Sequence, residues 1–253
     1  MNKRTADVPA QPRVPAKGPK WDHYVELKKD HDISVHLPYT MKLNKASLHS
    51  MLSLFPSVYV KPNRGAFGVG VMQVDSKGSN NQPLFRVHKG TRQETFNSEK
   101  QLYSYVLANQ VNKNYIVQQG INLLQWNRRP FDIRMMIKKQ SDGTWKNEGF
   151  LGRVAQPDKI VTNIRSGGTP MPIEDLLAPY TSPFGIQYTK EALNRLGAHI
   201  CKRLEKKYEG IQLLGIDIGM DQQVKPWIIE VNMRPEKICW DCIRKLYNRL
   251  GPA

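Results

Sequence analysis

The chain has 253 residues, 40% of them hydrophobic and 24% charged, enough for one large domain or two small ones with a sizeable core. Its 38 basic and 22 acidic side chains give a formal net charge of +16, which suits polyanions such as nucleotides, nucleic acid, anionic polymers or acidic peptides, or simply makes a basic solvated surface. No stretch approaches the roughly eighteen apolar residues of a membrane span, and the opening MNKRTADVPAQPRVPAKGPK has no apolar h-region, so neither a spanning helix nor a secretory signal is expected.

Residues 1–19, with Pro9, Pro12, Pro15 and Pro19 and almost no large apolar side chains, read as a flexible Pro-rich tail. From Trp21 the composition turns globular. KWDHYVELKKD is a short helical pattern with Trp21, Tyr24, Val25 and Leu27 as its apolar positions. Asn44 can cap a further helix carrying Leu48, Leu52 and Phe55, which Pro56 stops. In SVYVKPNRGAFGVGVMQVDS, two β-branched runs flank a glycine-bearing loop, a hairpin signal. A second strand pair follows around Leu84–His88 and Thr91–Phe96, and Ser98 with Gln101 makes a capping box for a helix through Asn109. NYIVQQGI, RPFDIRMMIKK and WKNEGFLGRVAQ read as strands, the last two joined by a turn at Asp142-Gly143. KEALNRLGAHICKRLEKKYEG is an amphipathic helix with Leu193, Leu196, Ile200 and Leu204 on one face. LLGIDIGMDQQVKPWIIEVNMRPE closes the core as two strands and a turn. The class is α+β, built mainly of hairpins, without Rossmann-type βαβ alternation.

Cys201, Cys239 and Cys242 are an odd count. Cys239 and Cys242 form a C-x-x-C, but no second ligand pair completes a zinc site and no βαβ context supports a thioredoxin-like one, so free thiols on a C-terminal helix, in a reducing compartment, are expected.

Two constellations carry chemistry. In the last hairpin, Glu230 and Asn232 share a strand face, as do Gly215, Asp217 and Gly219. A four-residue turn at Gln222–Lys225 sets Asp217 opposite Glu230 and Gly215 opposite Asn232. Two facing carboxylates repel, and among isoleucines their charge is costly. A divalent cation resolves both problems, and an all-oxygen set suits Mg²⁺ (or Mn²⁺) better than zinc; the alternative is a solvent-facing sheet. In the first glycine hairpin, Lys61 ends an apolar strand ahead of Gly65, Gly68 and Gly70, whose backbone can approach phosphate oxygens closely. This is neither a Walker A loop, because Val71-Met72 replace Lys-Ser/Thr, nor a dinucleotide fingerprint, because a strand follows. Taken alone it can be just a tight turn. A lysine, a glycine hairpin and acidic strand residues together suggest a nucleoside triphosphate site.

With these motifs in this order (KWDHYVELKKDHDISVHLPYT, VYVKPNRGAFGVGV, YIVQQGI, RPFDIRMMIKK, GFLGRV, VTNIRSGG and GIDIGMD…WIIEVNMRP), the chain resembles the ATP-grasp superfamily, in particular its YheC/YheD-type family of spore-former proteins, from about Lys20 to about Glu236. The resemblance implies an ATP-grasp fold: two α+β subdomains with antiparallel sheets, about 20–117 with the flap and about 118–253 with the metal site. It implies that Lys61 and Lys20 contact ATP phosphates, that Gly65–Gly70 is a mobile flap, that Gln118, Gln119 and Ile121 contact adenine, and that Asp132 binds ribose. Gln118-Gln119 replace the acidic residue usual at this hinge. Asp217, Glu230 and Asn232 match the Mg²⁺ ligands.

The activity implied is an ATP-dependent carboxylate–amine ligase working through an acyl phosphate in the cytoplasm. Arg134, Arg153, Arg165 and Arg234 are candidates to stabilise developing charge, and Asn163 with the Gly167-Gly168 turn to bind an acceptor carboxylate or oxyanion. The acid and amine are not specified; an acidic peptide or polymer matches the basic charge. Two departures stand out. Gly215 occupies the position where D-alanine–D-alanine ligases carry arginine, which argues against that activity, and no counterpart of the superfamily's N-terminal domain is expected. The rival readings are a non-catalytic ATP-binding component associated with the spore coat and a basic nucleic-acid binder; against the latter, no specific nucleic-acid motif is found.

Overall fold

Two antiparallel sheets, each with its own apolar core, organise the residues described by the structure, a computed structural model covering 18–79 and 82–250. Most of the Pro-rich tail, residues 1–17, lies outside the described residues.

The first sheet has the order β1 (Thr40–Lys42), β6 (Tyr115–Gln119), β2 (Ser57–Pro62), β3 (Met72–Ser79), β4 (Gln82–Lys89), β5 (Arg92–Phe96). Strand alternation sorts its side chains. Val58, Val60, Met72, Val74, Phe85, Val87, Tyr115 and Val117 form one core with Leu48, Met51 and Leu52 of α3 (Lys45–Leu54) and Leu102 and Val106 of α4 (Glu99–Ala108). Tyr59, Lys61 and Gln118 therefore emerge on the opposite face. Asn44 caps α3 with a full reciprocal box through Ser47. At α4, Ser98 accepts from the Gln101 N–H, but the reciprocal side-chain bond expected there is not made, so half a box forms.

The second sheet runs β10 (Thr169–Met171), β9 (Trp145–Val154), β8 (Arg129–Lys139), β11 (Leu213–Met220), β12 (Pro226–Asn232), with β7 (Gln125–Trp126) paired to β8. Phe131, Ile133, Met135 and Ile137 of β8 and Leu214, Ile216 and Ile218 of β11 point into a core closed by α6 (Pro183–Glu205), α5 (Ile173–Leu177) and, from the start of the chain, Leu27 of α1 (Lys20–Lys28) and Ile33 of α2 (His31–Ser34). The alternate residues Asp132, Arg134, Gly215 and Asp217 face the other way. α7 (Trp240–Leu250) follows, its Trp240 ring lying so close to Gly149 that an added Cβ there would sit 2.8 Å away.

Three expectations change. The long helix starts at Pro183 rather than Lys190: Ser182 accepts from the Gly185 N–H and Pro183 occupies the first turn, where its missing N–H costs nothing. Cys239 and Cys242 are joined as a disulfide rather than free, because the start of α7 brings residues three apart within reach; Cys201 is a free, buried thiol. In the last hairpin Asp217 faces Glu230 and Gly215 faces Asn232, but by a different route. The loop is one residue longer, since Met220 pairs with Pro226, and a bulge beside Asp217/Ile218 inserts Ile229 and restores the register. The same bulge lets Ile228 and Val231, three apart, both reach the core.

Candidate functional site

The polar faces of the two sheets enclose a cleft with about 880 Å³ of open space. Lys61 and Gln118 come from the first sheet; Asp132, Asp217 and Glu230 come from the second.

Lys61 is buried. Its ammonium donates to Gln118 Oε1 at 2.5 Å and to the Ile229 carbonyl at 3.3 Å, joining hairpins 168 positions apart. The bulge supplies that carbonyl. Burial pushes the Lys61 pKa from 10.5 down to about 8; the Lys20 ammonium adds to the fall, and the Glu230 and Asp217 carboxylates oppose it. Gln118 in turn donates from Nε2 to Thr40 Oγ1 at 3.0 Å, so its whole amide is committed to holding Lys61. Lys20 Nζ lies 3.2 Å from Glu230 Oε1 and donates to the Gly65 carbonyl at 3.2 Å. Lys20 reaches the cleft because Asn63 caps α1 from outside the helix. Pro19 offers no cap, and the N–H groups of Lys20 and Trp21 donate to the Asn63 backbone O (2.9 Å) and Oδ1 (2.8 Å).

On the opposite wall, charges are paired in a row. Arg153 binds Asp132 through two bonds of 2.7 and 2.5 Å and reaches Asp217 at 3.1 Å. Arg134, directly across the ladder from Asp217, also grips it with two nitrogens, one at 3.0 Å. Thr162 donates to Asp132 at 2.6 Å. Burial alone would raise the Asp217 pKa, but the guanidiniums of Arg134 and then Arg153 outweigh it and hold the carboxyl below its usual range. The same carboxylates overcome burial to raise Arg153 further. Gly215 leaves room for this arrangement: a Cβ there would lie 2.9 Å from Arg134 Nη1.

The glycine segment crosses the mouth of the cleft. A turn closes from the Ala66 carbonyl to the Val69 N–H, with φ of 61° at Phe67 and 73° at Gly68. Positive φ at a phenylalanine costs about 1–2 kcal/mol, so neighbouring contacts must hold it. Gly68 is required twice over, by its φ and by Val161, which a Cβ would meet at 2.7 Å. Gly70 is turned to the first sheet, its carbonyl accepting from Tyr115 Oη at 3.1 Å.

Residues 15–248 match the family model described as YheC/D-like ATP-grasp. The chain belongs to the YheC/D-like ATP-grasp family. It is similar to the endospore coat-associated protein YheD of Bacillus subtilis (strain 168), 26% identical over 225 residues covering 85% of this chain and 48% of that protein. YheC of the same organism, also named endospore coat-associated, is 22% identical over 220 residues, 85% of this chain and 59% of that one. The chain thus spans about half the length of the curated relatives it matches. Among solved structures, the N5-carboxyaminoimidazole synthetase of Staphylococcus aureus complexed with ADP shares the fold at a TM-score of 0.51 and 9% identity, over 87% of this chain and 45% of that one.

In this YheC/D-like ATP-grasp chain, Lys20, Lys61, Gly65 and Gly68 line the cleft together with Gln118, Gln119 and Ile121; so do Asp132, Arg153, Asn163, Asp217 and Glu230. Arg134, Asn232 and Arg234 open instead onto an adjoining cavity, which Asp217 and Glu230 also border. Gly70 and Gly168 line neither. The Gly167 and Gly168 N–H groups donate to the Ile164 and Asn163 carbonyls within their own loop, so neither amide is free to bind an oxyanion. Asp132 already accepts three hydrogen bonds, two from Arg153 and one from Thr162. Asn63, Thr40 and Thr162 escaped the sequence reading; single polar residues beside glycines and prolines carry no periodic signal. Among the described residues, Asp30, Asp32 and His199 also bring three ligand atoms within 4.8 Å of one another. Asp30 is already committed, capping α2 and pairing with His199 at 2.9 Å.

Proposed function

We propose that the cleft binds ATP with a divalent cation, and that the chain is an ATP-dependent carboxylate–amine ligase working through an acyl phosphate. The observation that carries this reading is the meeting of Lys61 with the Ile229 carbonyl, next in the chain to Glu230: the lysine hairpin and the acidic hairpin share one cleft. Family membership and the cleft's lining, with Lys20, Lys61, the glycine segment and the carboxylates of Asp217 and Glu230, support it.

The donor set fits a hard cation. Glu230, Asn232 and Asp217 offer only oxygens suited to Mg²⁺, and Glu230 is partly exposed to the cleft. Asp217 arrives gripped by two guanidiniums and Glu230 by the single Lys20 ammonium, so Glu230 and Asn232 would be the principal holders, sharing Asp217 with the arginines. When bound, magnesium neutralises triphosphate charge and polarises the phosphoryl oxygens. Lys20 and Lys61 hold phosphate oxygens, and the flap backbone excludes water. Arg134 and Arg153, fixed by carboxylates, border the adjoining cavity, Arg153 lining the cleft as well, and stabilise the charge that develops as a substrate carboxylate attacks the γ-phosphorus. ADP leaves, and an amine then displaces phosphate from the acyl phosphate.

Isothermal titration of Mg-ATP into the wild type and the pair Glu230→Gln and Asn232→Ala tests the site without removing buried charge. At least tenfold weaker magnesium-dependent binding is expected; unchanged affinity refutes the assignment. A second reading, an ATP-binding component of spore-coat assembly without ligase activity, is favoured by the names of both relatives. Phosphate release across carboxylate and amine pairs separates the two: tight ATP binding with no release for any pair supports the assembly role. Cytoplasmic residence and association with the coat belong to this proposal.

A further inference from the structure

The glycine flap is tied down by the loop between β9 and β10, which belongs to the other sheet. The Arg165 guanidinium sits 4.8 Å from the centre of the Phe67 ring. Ser166 Oγ donates to the Phe67 carbonyl at 2.9 Å. Val161 packs on Gly68. Arg165 is itself steadied by Glu236 at 2.5 Å, on the segment between β12 and α7 that borders the adjoining cavity. That ion pair is exposed and weak on its own; its effect is to aim the guanidinium at the ring. The contacts converge on Phe67, which holds an unfavourable backbone angle.

We propose that Arg165 and Ser166 are positioning residues that latch the flap across the cleft through Phe67 before any nucleotide arrives. Three features support a latch rather than incidental packing. First, a cation over an aromatic face and a hydrogen bond to the backbone of the same residue constrain both ends of Phe67. Second, left to itself, this backbone would favour glycine at the Phe67 position. Third, the partners lie 99 positions apart in the chain, so local sequence does not impose the contact. The latch sets how fast nucleotide escapes, a consequence that rests on the ATP reading above; the latch itself does not.

Two measurements keep these separable. Hydrogen–deuterium exchange of the full chain without nucleotide reads the flap amides directly. In the double variant Arg165→Ala with Ser166→Ala, exchange over 64–71 should rise at least tenfold while β8 and β11 stay protected. Phe67→Gly should loosen the flap as well. A flap shaped only by its own turn would instead tighten, because glycine relieves the positive φ, and that result overturns the latch. Unchanged flap exchange in the double variant also overturns it. Stopped-flow dissociation of a fluorescent ATP analogue should then be five- to tenfold faster in the double variant, with little change in association rate. Faster flap exchange with no nucleotide binding even in the wild type would uphold the latch and refute the ATP reading.

Discussion

Replacing Lys61 by methionine tests whether the cleft is built for an anionic ligand at the expense of the ligand-free fold. Lowering an ammonium from 10.5 to about 8 corresponds to about 3 kcal/mol of penalty on its charged form. The folded value lies below the unfolded one, so this penalty is fully present below pH 8 and fades as pH rises towards 10.5. Lys61→Met removes it but leaves the Gln118 amide oxygen and the Ile229 carbonyl without their donor, a loss of about 1–2 kcal/mol. At pH 7 the ligand-free variant should therefore be more stable by about 1–2 kcal/mol, melting roughly 2–6 °C higher for a chain of this size. Near pH 9.5 the remaining penalty is only about 1 kcal/mol, and the gain should vanish. Mg-ATP at a hundredfold its dissociation constant should stabilise the wild type by about 2.7 kcal/mol and leave the variant unmoved. Differential scanning calorimetry of wild type and variant at both pH values, with and without Mg-ATP, reads all four conditions for each protein. If Lys61→Met destabilises equally at both pH values, or retains the nucleotide shift, the reasoning fails.

Asp217→Asn should cost about 3–5 kcal/mol in urea denaturation at pH 7, since it takes the carboxylate from the Arg134 guanidinium and leaves Arg153 with Asp132 alone. Because the Asp217 pKa is held below its ordinary 3.8, its contribution is present above that value and lost as pH falls below it, so the variant should lose less stability on acidification than the wild type. Gln118→Glu places a carboxylate against Lys61 and should move the pH above which ATP affinity declines from about 8 to a higher value, read by titration calorimetry between pH 7 and 10.

The residues of the last hairpin show how sequence reading can reach a correct register by an incorrect path. Asp217 does face Glu230, yet the loop is longer than expected and Ile229 is bulged out. Nothing in WIIEVN marks a bulge; the packing of both Ile228 and Val231 into the second core selects it. The repulsion of the carboxylate pair, legible in the sequence, is eased within the chain by Arg134 and Arg153 at Asp217 and by Lys20 at Glu230, partners drawn from three other elements.

Alternation and helical periodicity by themselves determined the hairpins, the α3, α4 and α6 helices and the two polar strand faces, because these patterns are written in neighbouring residues. Only the tertiary structure decided the short β1, β7, β10, α2 and α5, the capping of α1 by Asn63, the pairing of Cys239 with Cys242 and the grip of Ser166 on Phe67. Most of these are contacts between groups tens of residues apart, and the elements are too short to be stable alone. Their free energy comes from partners that the folded chain brings together.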